Sequence, residues 1–156
     1  MCDHPEHARA GLKGAALGRA LTAAELRCGR LRERLTAPRR RVLQLLLQSD
    51  GPMKGYDLIA AFGVDGKPTN PPTVYRALEF LGRVGLVHRL ESLNAFVACR
   101  LEGLDHRAAF LICDCCGAAQ EFEPDFAAEV AAATQAGYAL SSITLEAHGR
   151  CAACRA

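Results

Sequence analysis

The chain has 156 residues, of which 50% are hydrophobic and 23% are charged, a composition typical of folded globular domains and not of disordered or collagen-like chains. No apolar run approaches the roughly 18 residues that a membrane-spanning helix requires, and the N-terminus carries acidic residues without an apolar segment. We therefore expect a cytoplasmic protein with no membrane partner, in which the eight cysteines favour metal binding or redox sensing over disulfides.

The two halves of the chain carry opposite charge. Residues 1–100 contain 16 Lys and Arg against 9 Asp and Glu, whereas residues 101–156 contain 3 against 8. An excess of positive charge in one half favours a polyanionic partner, such as nucleic acid or an anionic membrane. The alternative is that the charge serves only solubility, so the asymmetry alone does not identify a partner.

Helices dominate the first part of the chain. Thr22 and Glu25 form a capping box, in which each side chain can bond a backbone N–H group, and the predicted helix continues to about Leu35. Two further helices and a polar loop are predicted at 39–48, 55–62 and 64–70.

The fourth predicted helix begins at Pro71 and Pro72, because the fixed φ of proline suits the first turn of a helix. Its Val74, Leu78 and Leu81 recur at helical spacing and predict a buried stripe. The opposite face carries polar residues, namely Thr73, Arg76 and Arg83.

Two β-rich segments, 86–91 and 95–99, then predict a hairpin that turns at Leu93 and Asn94. Helices followed by a hairpin describe a winged helix, in which the last helix before the hairpin enters the DNA major groove. The preceding helices and the wing contact the phosphate backbone. A winged helix would account for the positive charge of this half.

A hinge at 100–106 separates this domain from a smaller one. Strands are predicted at 108–113, 118–122 and 143–147, with a helix from Pro124 to Gly137 between the second and the third. About fifty residues in the order β-β-α-β bury little apolar surface, so this unit needs a metal, a partner subunit or both. The predicted fold class is α+β, with a first domain at 1–99 that includes an N-terminal extension at 1–20, and a second at 107–156.

Two CxxC pairs, Cys113/Cys116 and Cys151/Cys154, are separated by 34 residues. Such pairs can each present two thiolates to one tetrahedral zinc, and a site filled by four thiolates leaves no position for water or substrate. The spacing therefore predicts a structural zinc site. The alternatives are dithiol redox switches or inert buried cysteines. Cys115, inside the first pair, is treated as a non-ligand.

A second metal site is suggested by the hairpin. If Ser92 faces Ala95, His88 lies directly opposite Cys99, with Cβ atoms about 5 Å apart. Their side chains could bind a borderline-soft metal whose tetrahedron is completed by His106 and Glu121. Each residue also has an ordinary interpretation: a small buried cysteine, a wing histidine on phosphate, and a solvated carboxylate.

Three sequence features together resemble the ferric uptake regulator family, and specifically its zinc uptake regulator branch. They are the segment Pro-Pro-Thr-Val-Tyr-Arg-Ala-Leu at 71–78, the two CxxC pairs, and Glu-Ala-His-Gly-Arg-Cys at 146–151. The similarity runs from about Leu21 to the C-terminus. It implies a homodimeric, metal-activated transcriptional repressor, with a winged helix that binds an operator and a C-terminal dimerisation domain.

The resemblance also assigns metal ligands and implies two zinc ions per chain. The structural ligands match Cys113, Cys116, Cys151 and Cys154, and the regulatory ligands match His88, Cys99, His106 and Glu121. Zinc at the regulatory site would fix the two DNA-binding domains for operator binding. A thiolate at Cys99 favours zinc over iron or manganese. Neither set of ligands includes Cys115, His148 or an N-terminal cluster of Cys2, His4 and His7.

Arg76 is the first candidate for base recognition, because a guanidinium can bond guanine with two hydrogen bonds. The resemblance supports Arg76 and adds Tyr56, while Thr73 and Tyr75 are candidates for contacts to the DNA backbone or to thymine methyl groups. The arginines at 27, 30, 32, 34 and 39–41 could attract phosphates, although such runs are often only solvated surface.

The resulting hypothesis is a zinc-responsive repressor of zinc uptake genes that binds double-stranded DNA, has no small-molecule substrate and is not an enzyme. One rival is a thiol-redox-responsive winged-helix repressor, in which oxidation of the cysteine pairs expels zinc. Another is a zinc hydrolase, but the chain lacks the HExxH motif and Cys99 would fill the position that water needs.

Overall fold

The structure, a computed structural model of the single chain, describes residues 10–63, 70–100, 107–141 and 143–155. The N-terminal domain contains helices α1 (Gly14–Arg30), α2 (Ala37–Gln48), α3 (Gly55–Phe62) and α4 (Pro71–Arg83), and strands β1 (Met53–Lys54), β2 (Val87–Leu90) and β3 (Ala95–Ala98). The C-terminal domain contains β4 (Arg107–Cys113), β5 (Ala119–Phe122), α5 (Ala127–Gln135), β6 (Ile143–Gly149) and α6 (Ala152–Arg155). Across these described ranges, every helix is too short or too polar to cross a lipid bilayer.

The N-terminal domain is a winged helix built around α2 and α4. Helix α4 begins at Pro71, as predicted, and Val74, Leu78 and Leu81 form its buried face. They pack with Val42 and Leu46 of α2 in one apolar cluster. Strands β2 and β3 form the predicted hairpin, and β1, which the sequence did not reveal, pairs with β3 to give the order β1-β3-β2. This core fixes the orientation of the exposed face of α4.

The predicted start of the first helix at Thr22 is wrong. Helix α1 begins at Gly14, inside the segment assigned to an N-terminal extension, and Thr22 lies exposed in its middle. Most residues from Ala15 to Leu21 are alanine, leucine or arginine, which favour helices, and Leu17 packs against the core, so the helix begins before the capping motif. The helix also ends earlier than Leu35, because Arg32 adopts a left-handed backbone conformation with φ 56°.

The predicted register of the hairpin is wrong by two residues. His88 pairs with Val97 and Leu90 with Ala95, so a four-residue loop replaces the expected two-residue turn. Asn94 closes this loop in a left-handed conformation, with φ 47°. A shift of two residues keeps each side chain on its predicted face, so His88 and Cys99 remain on the same side of the sheet as diagonal neighbours.

The C-terminal sheet has the order β5-β4-β6, with β4 antiparallel to β5 and parallel to β6. Helix α5 begins at Ala127 and not at Pro124, because the Asp125 carboxylate accepts a hydrogen bond from the Ala127 N–H at 2.9 Å. Gly137 follows its end with φ 84°, as predicted. None of the α5 residues is buried, whereas the preceding Phe126 is.

The wing packs directly on the C-terminal sheet. Leu90 of β2 shares an apolar cluster with Ala108, Phe110 and Ile112 of β4, and Leu93 of the wing loop packs against it. The two domains therefore contact each other through the hairpin. The predicted hinge connects them in sequence, and its residues 101–106 lie outside the described part of the chain.

Candidate functional site

The four CxxC cysteines converge at one end of the C-terminal sheet. Cys113 ends β4 and Cys116 follows in a tight turn, while Cys151 and Cys154 lie about one turn apart because α6 begins directly after Cys151. The four sulfur atoms all lie within 4.8 Å of one another, and the Sγ atoms of Cys116 and Cys151 are 3.9 Å apart. A tetrahedral zinc with Zn–S bonds of about 2.3 Å separates its ligands by about 3.8 Å. The cluster has the dimensions of a zinc site.

The electrostatics of this cluster call for a cation. The backbone N–H of Cys151 lies 3.3 Å from the Cys113 sulfur, and backbone N–H groups lower the pKa of the Cys113 thiol to about 6. Burial and the neighbouring sulfurs raise the pKa of Cys154 to about 12. Four thiolates cannot accumulate here unless a cation compensates their charge, so the cluster holds either protonated thiols or a metal.

A second cluster joins the wing to the C-terminal sheet. It consists of His88 on β2, Cys99 just after β3 and Glu121 on β5, whose ligand atoms all lie within 4.8 Å of one another. The Oε1 atom of Glu121 is 3.4 Å from both His88 Nε2 and Cys99 Sγ. Its Oε2 accepts a hydrogen bond of 3.0 Å from the Arg100 N–H. One carboxylate oxygen is thus held by backbone while the other faces His88 and Cys99.

Glu121 is only 6% exposed and is the one buried polar or charged side chain among the described residues. Burial opposes its ionisation, but His88 and the Arg100 N–H hold the pKa of Glu121 below its usual value. Burial likewise opposes protonation of His88, yet hydrogen bonds with Cys99 and Glu121 raise the pKa of His88 to about 9. In the metal-free chain a proton on His88 therefore compensates the carboxylate, and a metal would take the place of that proton.

A nitrogen, a sulfur and an oxygen ligand suit zinc, which binds all three donor types. The Phe110 ring packs against the His88 imidazole in a T-shaped arrangement, with 5.5 Å between centroids and 62° between the planes, and helps to fix its orientation. His106, the fourth predicted ligand, lies outside the described residues. The structure thus brings three of the four predicted regulatory ligands together, and all four of the predicted structural ones.

The candidate DNA-contacting residues lie on the exposed face of α3 and α4. Tyr56 and Tyr75 are 64% and 50% exposed. Arg76 is exposed, Thr73 is half-buried, and within the described part of the chain Arg76 makes no hydrogen bond or ion pair. The Arg76 guanidinium is therefore available to a ligand.

Two basic residues near this face were missed by sequence reasoning. Lys54 and Arg89 line a groove between α3, α4 and the wing, together with Tyr56, Tyr75 and Asn94. The Lys54 ammonium lies 6.0 Å from the centre of the Tyr56 ring. Lys54 and Arg89 come together because β1 and β2 both pair with β3. No local sequence pattern predicts that pairing for β1.

Several arginines of the predicted phosphate-binding run instead hold the helices together. Arg40 forms an ion pair of 2.9 Å with Glu25. The Arg39 guanidinium lies 3.5 Å above the centre of the Phe80 ring. Two others donate hydrogen bonds to backbone carbonyls: Arg27 to Val84 at 2.8 Å and Arg41 to Ala61 at 3.2 Å. Electrostatic attraction to phosphate remains open to them, but their positions are set by packing.

The remaining metal-binding residue types lie outside both clusters. Cys115 is half-buried in the turn between Cys113 and Cys116. His148 Nδ1 lies 2.9 Å from a carboxylate oxygen of Asp114, and this contact connects β6 to the turn between Cys113 and Cys116. Cys2, His4 and His7 lie outside the described residues.

Comparisons with known proteins identify the family of the chain. The sequence model of the ferric uptake regulator family matches residues 31–148. The chain is 41% identical over 137 residues to the zinc uptake regulation protein of Escherichia coli (strain K12), covering 86% of this chain and 80% of that protein.

Solved structures are similar as well. A zinc uptake regulator complexed with zinc and DNA gives a TM-score of 0.83 at 39% identity, covering 91% of this chain and 97% of the other. The holo form of XcZur gives 0.79 at 42% identity over 86% and 96% of the two chains, whereas its apo form gives 0.51 at 40% identity over 90% and 98%. The family model matches most of the chain, and the relative from Escherichia coli is 41% identical over 86% of it, so this protein belongs to the ferric uptake regulator family.

Proposed function

We propose that this protein is a zinc-responsive repressor that binds double-stranded operator DNA and controls zinc uptake. The observation that carries the proposal is the cluster of His88, Cys99 and Glu121, because its ligands come from both domains. A metal bound there would link the wing to the C-terminal sheet. As a member of a regulator family, the chain is not an enzyme.

We assign the two clusters different roles. The four cysteines, with no coordination position left for water or substrate, hold a structural zinc. His88, Cys99 and Glu121, with His106 as the fourth ligand, hold a regulatory zinc. Bound zinc would supply a cross-link between the domains there. We assign the exchangeable zinc to this second site, because its mixed ligands include one thiolate against four in the first and a proton on His88 compensates Glu121 when the metal leaves.

The active species in this proposal is a homodimer formed through the C-terminal domain. Leu111 of β4 and Leu145 of β6 are 48% and 41% exposed on the sheet, and Tyr138 after α5 is 70% exposed. Helix α5 buries none of its residues within the chain. An apolar sheet face and an unpacked helix favour association with a second copy.

The regulatory mechanism is a shift between domain arrangements. Without the link, the winged helices of a dimer sample many orientations and rarely match two half-sites at once. Contacts of the wing with β4 and β5 favour one orientation. Linkage requires that, if zinc tightens DNA binding, DNA tightens zinc binding by the same factor. The higher TM-scores against the holo and DNA-bound relatives than against the apo form support this reading of the present arrangement.

The redox alternative is not favoured, since the similar proteins are named for zinc regulation. It makes a separate prediction, namely loss of DNA binding at stoichiometric peroxide. The zinc-regulator proposal predicts that metal availability, and not oxidant, sets DNA affinity.

The test is selection of duplex DNA from a random-sequence library by the zinc-loaded, full-length protein. We expect the selected duplex to bind more tightly than its scrambled version, and only when zinc is present. Arg76→Ala should weaken binding to the selected duplex by about 1–3 kcal/mol and affect the scrambled duplex much less. Equal affinities for both duplexes, with and without zinc, would overturn the proposal.

A further inference from the structure

Glu146 on β6 reaches from the C-terminal domain to the tip of the wing. Its Oε1 accepts a hydrogen bond of 2.7 Å from the Glu91 N–H, and its Oε2 accepts one of 3.0 Å from the Ser92 N–H. Glu91 and Ser92 are the first two residues of the four-residue loop that joins β2 to β3. Both carboxylate oxygens are thus used, on two consecutive backbone donors that are 55 and 54 residues away in sequence.

Both the wing loop and Glu146 are arranged to favour this contact. The loop is closed by the hydrogen bond of 3.2 Å from the Asn94 N–H to the Glu91 carbonyl, and this leaves the Glu91 and Ser92 N–H groups free to donate elsewhere. The Glu91 carboxylate is 3.4 Å from Arg89, so its charge is compensated. Although burial opposes ionisation, the Ser92 side chain and the two N–H groups hold the pKa of Glu146 below its usual value.

Among the described residues, the wing therefore has a polar connection to the C-terminal domain at each of its two ends, in addition to its apolar contact with β4. His88 and Cys99 lie toward its base and contact Glu121, whereas Glu91 and Ser92 lie at its tip and contact Glu146. Glu91 follows His88 by three positions, which is roughly 10 Å along a strand. The apolar contact of Leu90 and Leu93 with β4 has no directional bonds, so a directional polar contact at each end defines the orientation of the hairpin.

We propose that Glu146 is a positioning residue that anchors the tip of the wing, so that zinc at the base fixes the direction of the winged helix and not only its distance from the C-terminal domain. This inference rests on the proposed function for its effect on DNA binding, but the anchor itself does not. It assigns to Glu146 a role in DNA affinity without contact to DNA or to metal.

The sign of the expected effect separates an anchor from simple electrostatics. Removing a negative charge from a protein that binds a polyanion ordinarily strengthens binding. Loss of an anchor weakens it, because the winged helix then samples unproductive directions. Glu123, an exposed carboxylate of the same domain, provides the matched control.

The first experiment measures backbone amide exchange at Glu91 and Ser92 in the full-length, zinc-loaded protein. In Glu146→Ala we expect these two amides to exchange at least about tenfold faster, while amides of β4 are unchanged. Glu146→Gln, which keeps the shape and one acceptor oxygen, should lie between, and it serves if the alanine variant folds poorly. Unchanged exchange at both amides in both variants would overturn the anchor, whatever the protein does with DNA.

The second experiment measures affinity for the duplex selected by the wild-type protein, at saturating zinc. Glu146→Ala should bind roughly tenfold more weakly with unchanged zinc content, within the range of typical coupling between sites. Glu123→Ala should bind equally or more tightly. If wild type responds to zinc and Glu146→Ala matches it, the positioning role is wrong and the proposed function stands. If wild type does not respond to zinc, the proposed function is wrong, and the amide exchange still decides the anchor.

Discussion

The two metal-ligand clusters differ in where their ligands come from. All four cysteines of the first cluster belong to the C-terminal domain, and two of them are buried. In the second cluster, His88 and Cys99 belong to the wing, whereas Glu121 belongs to the C-terminal sheet. The first can stabilise only the domain that contains it. A metal at the second would link two domains, and in the proposed mechanism the relation between these domains controls DNA binding.

The chemistry of the ligands follows the same division. A cluster of four sulfurs has no neutralising group of its own and depends on a metal to exist as thiolates. The mixed cluster compensates its carboxylate with a proton on His88, so it remains satisfied when the metal leaves. A site that is stable in both states is suited to sensing, because losing the metal does not unfold it.

The largest expected effect is on the cysteine cluster. Replacing Cys116 and Cys151 by serine should abolish structural zinc binding, which in small domains contributes an apparent 10–16 kcal/mol or so to folding. We expect loss of the cooperative thermal transition of the C-terminal domain and of the dimer. Circular dichroism melting and light scattering measure these. If the double variant remained a folded dimer, the proposed structural role of the cysteine cluster would be wrong.

The next effect should appear in function and not in folding. Cys99→Ser combined with His88→Ala should leave the fold and one zinc per chain, yet reduce zinc-dependent affinity for the selected duplex by up to about 100-fold. Cys28→Ala, at a buried cysteine outside both clusters, is the control for general loss of a thiol. Affinity and zinc content are measured on the same preparations. Wild-type DNA affinity in the double variant would contradict a sensing role.

The pH dependence sharpens the comparison further. Because the pKa of His88 is raised from 6.5 to about 9, the His88–Glu121 pair stabilises the metal-free protein fully below about pH 6.5. This contribution is lost as pH rises through about 9. Zinc affinity at the second site should therefore rise with pH over this window, by up to about tenfold per unit for each displaced proton. Competition with a chelator of known affinity at several pH values measures it, and a flat profile would show that His88 carries no proton to displace.

The smallest expected effect comes from a substitution outside both clusters, at Gly11. A Cβ atom at Gly11 would clash with the Gln48 carbonyl group, next to the hydrogen bonds that the Gly11 and Leu12 N–H groups donate to the Asp50 carboxylate and the Leu47 carbonyl. Gly11→Ala should cost about 1–3 kcal/mol of stability through forced displacement of this segment. Denaturant unfolding measures it. Zinc content should stay at the wild-type value, and a loss of zinc would indicate that the metal sites depend on the N-terminal segment.

What the sequence could predict depended on whether the cause was local. Helix α4 was predictable because Pro71 starts it and its apolar stripe repeats within the helix itself. The register of the wing was not, because the Glu91 and Ser92 N–H groups are taken by Glu146 from another domain. Strand β1 has only two residues and exists through its pairing with β3.

The ligands followed the same rule. In a CxxC pair the short spacing alone places two thiolates close together, so the convergence of the two pairs on one metal site was predicted. His88 and Cys99 were placed together from an incorrect register that happened to preserve the faces of the strands. Lys54 and Arg89 were missed because only tertiary pairing brings them to the groove beside Tyr56. Long-range contacts therefore determined most of what the sequence did not reveal.

The most direct measurement is a titration of zinc into protein whose cysteine cluster is already filled, with zinc per chain and affinity for the selected duplex followed together. We expect the affinity to remain low at one zinc per chain and to rise in parallel with binding of the second. Full affinity at one zinc per chain, with no further change as the second binds, would contradict the claim that the site between the wing and the C-terminal sheet controls DNA binding.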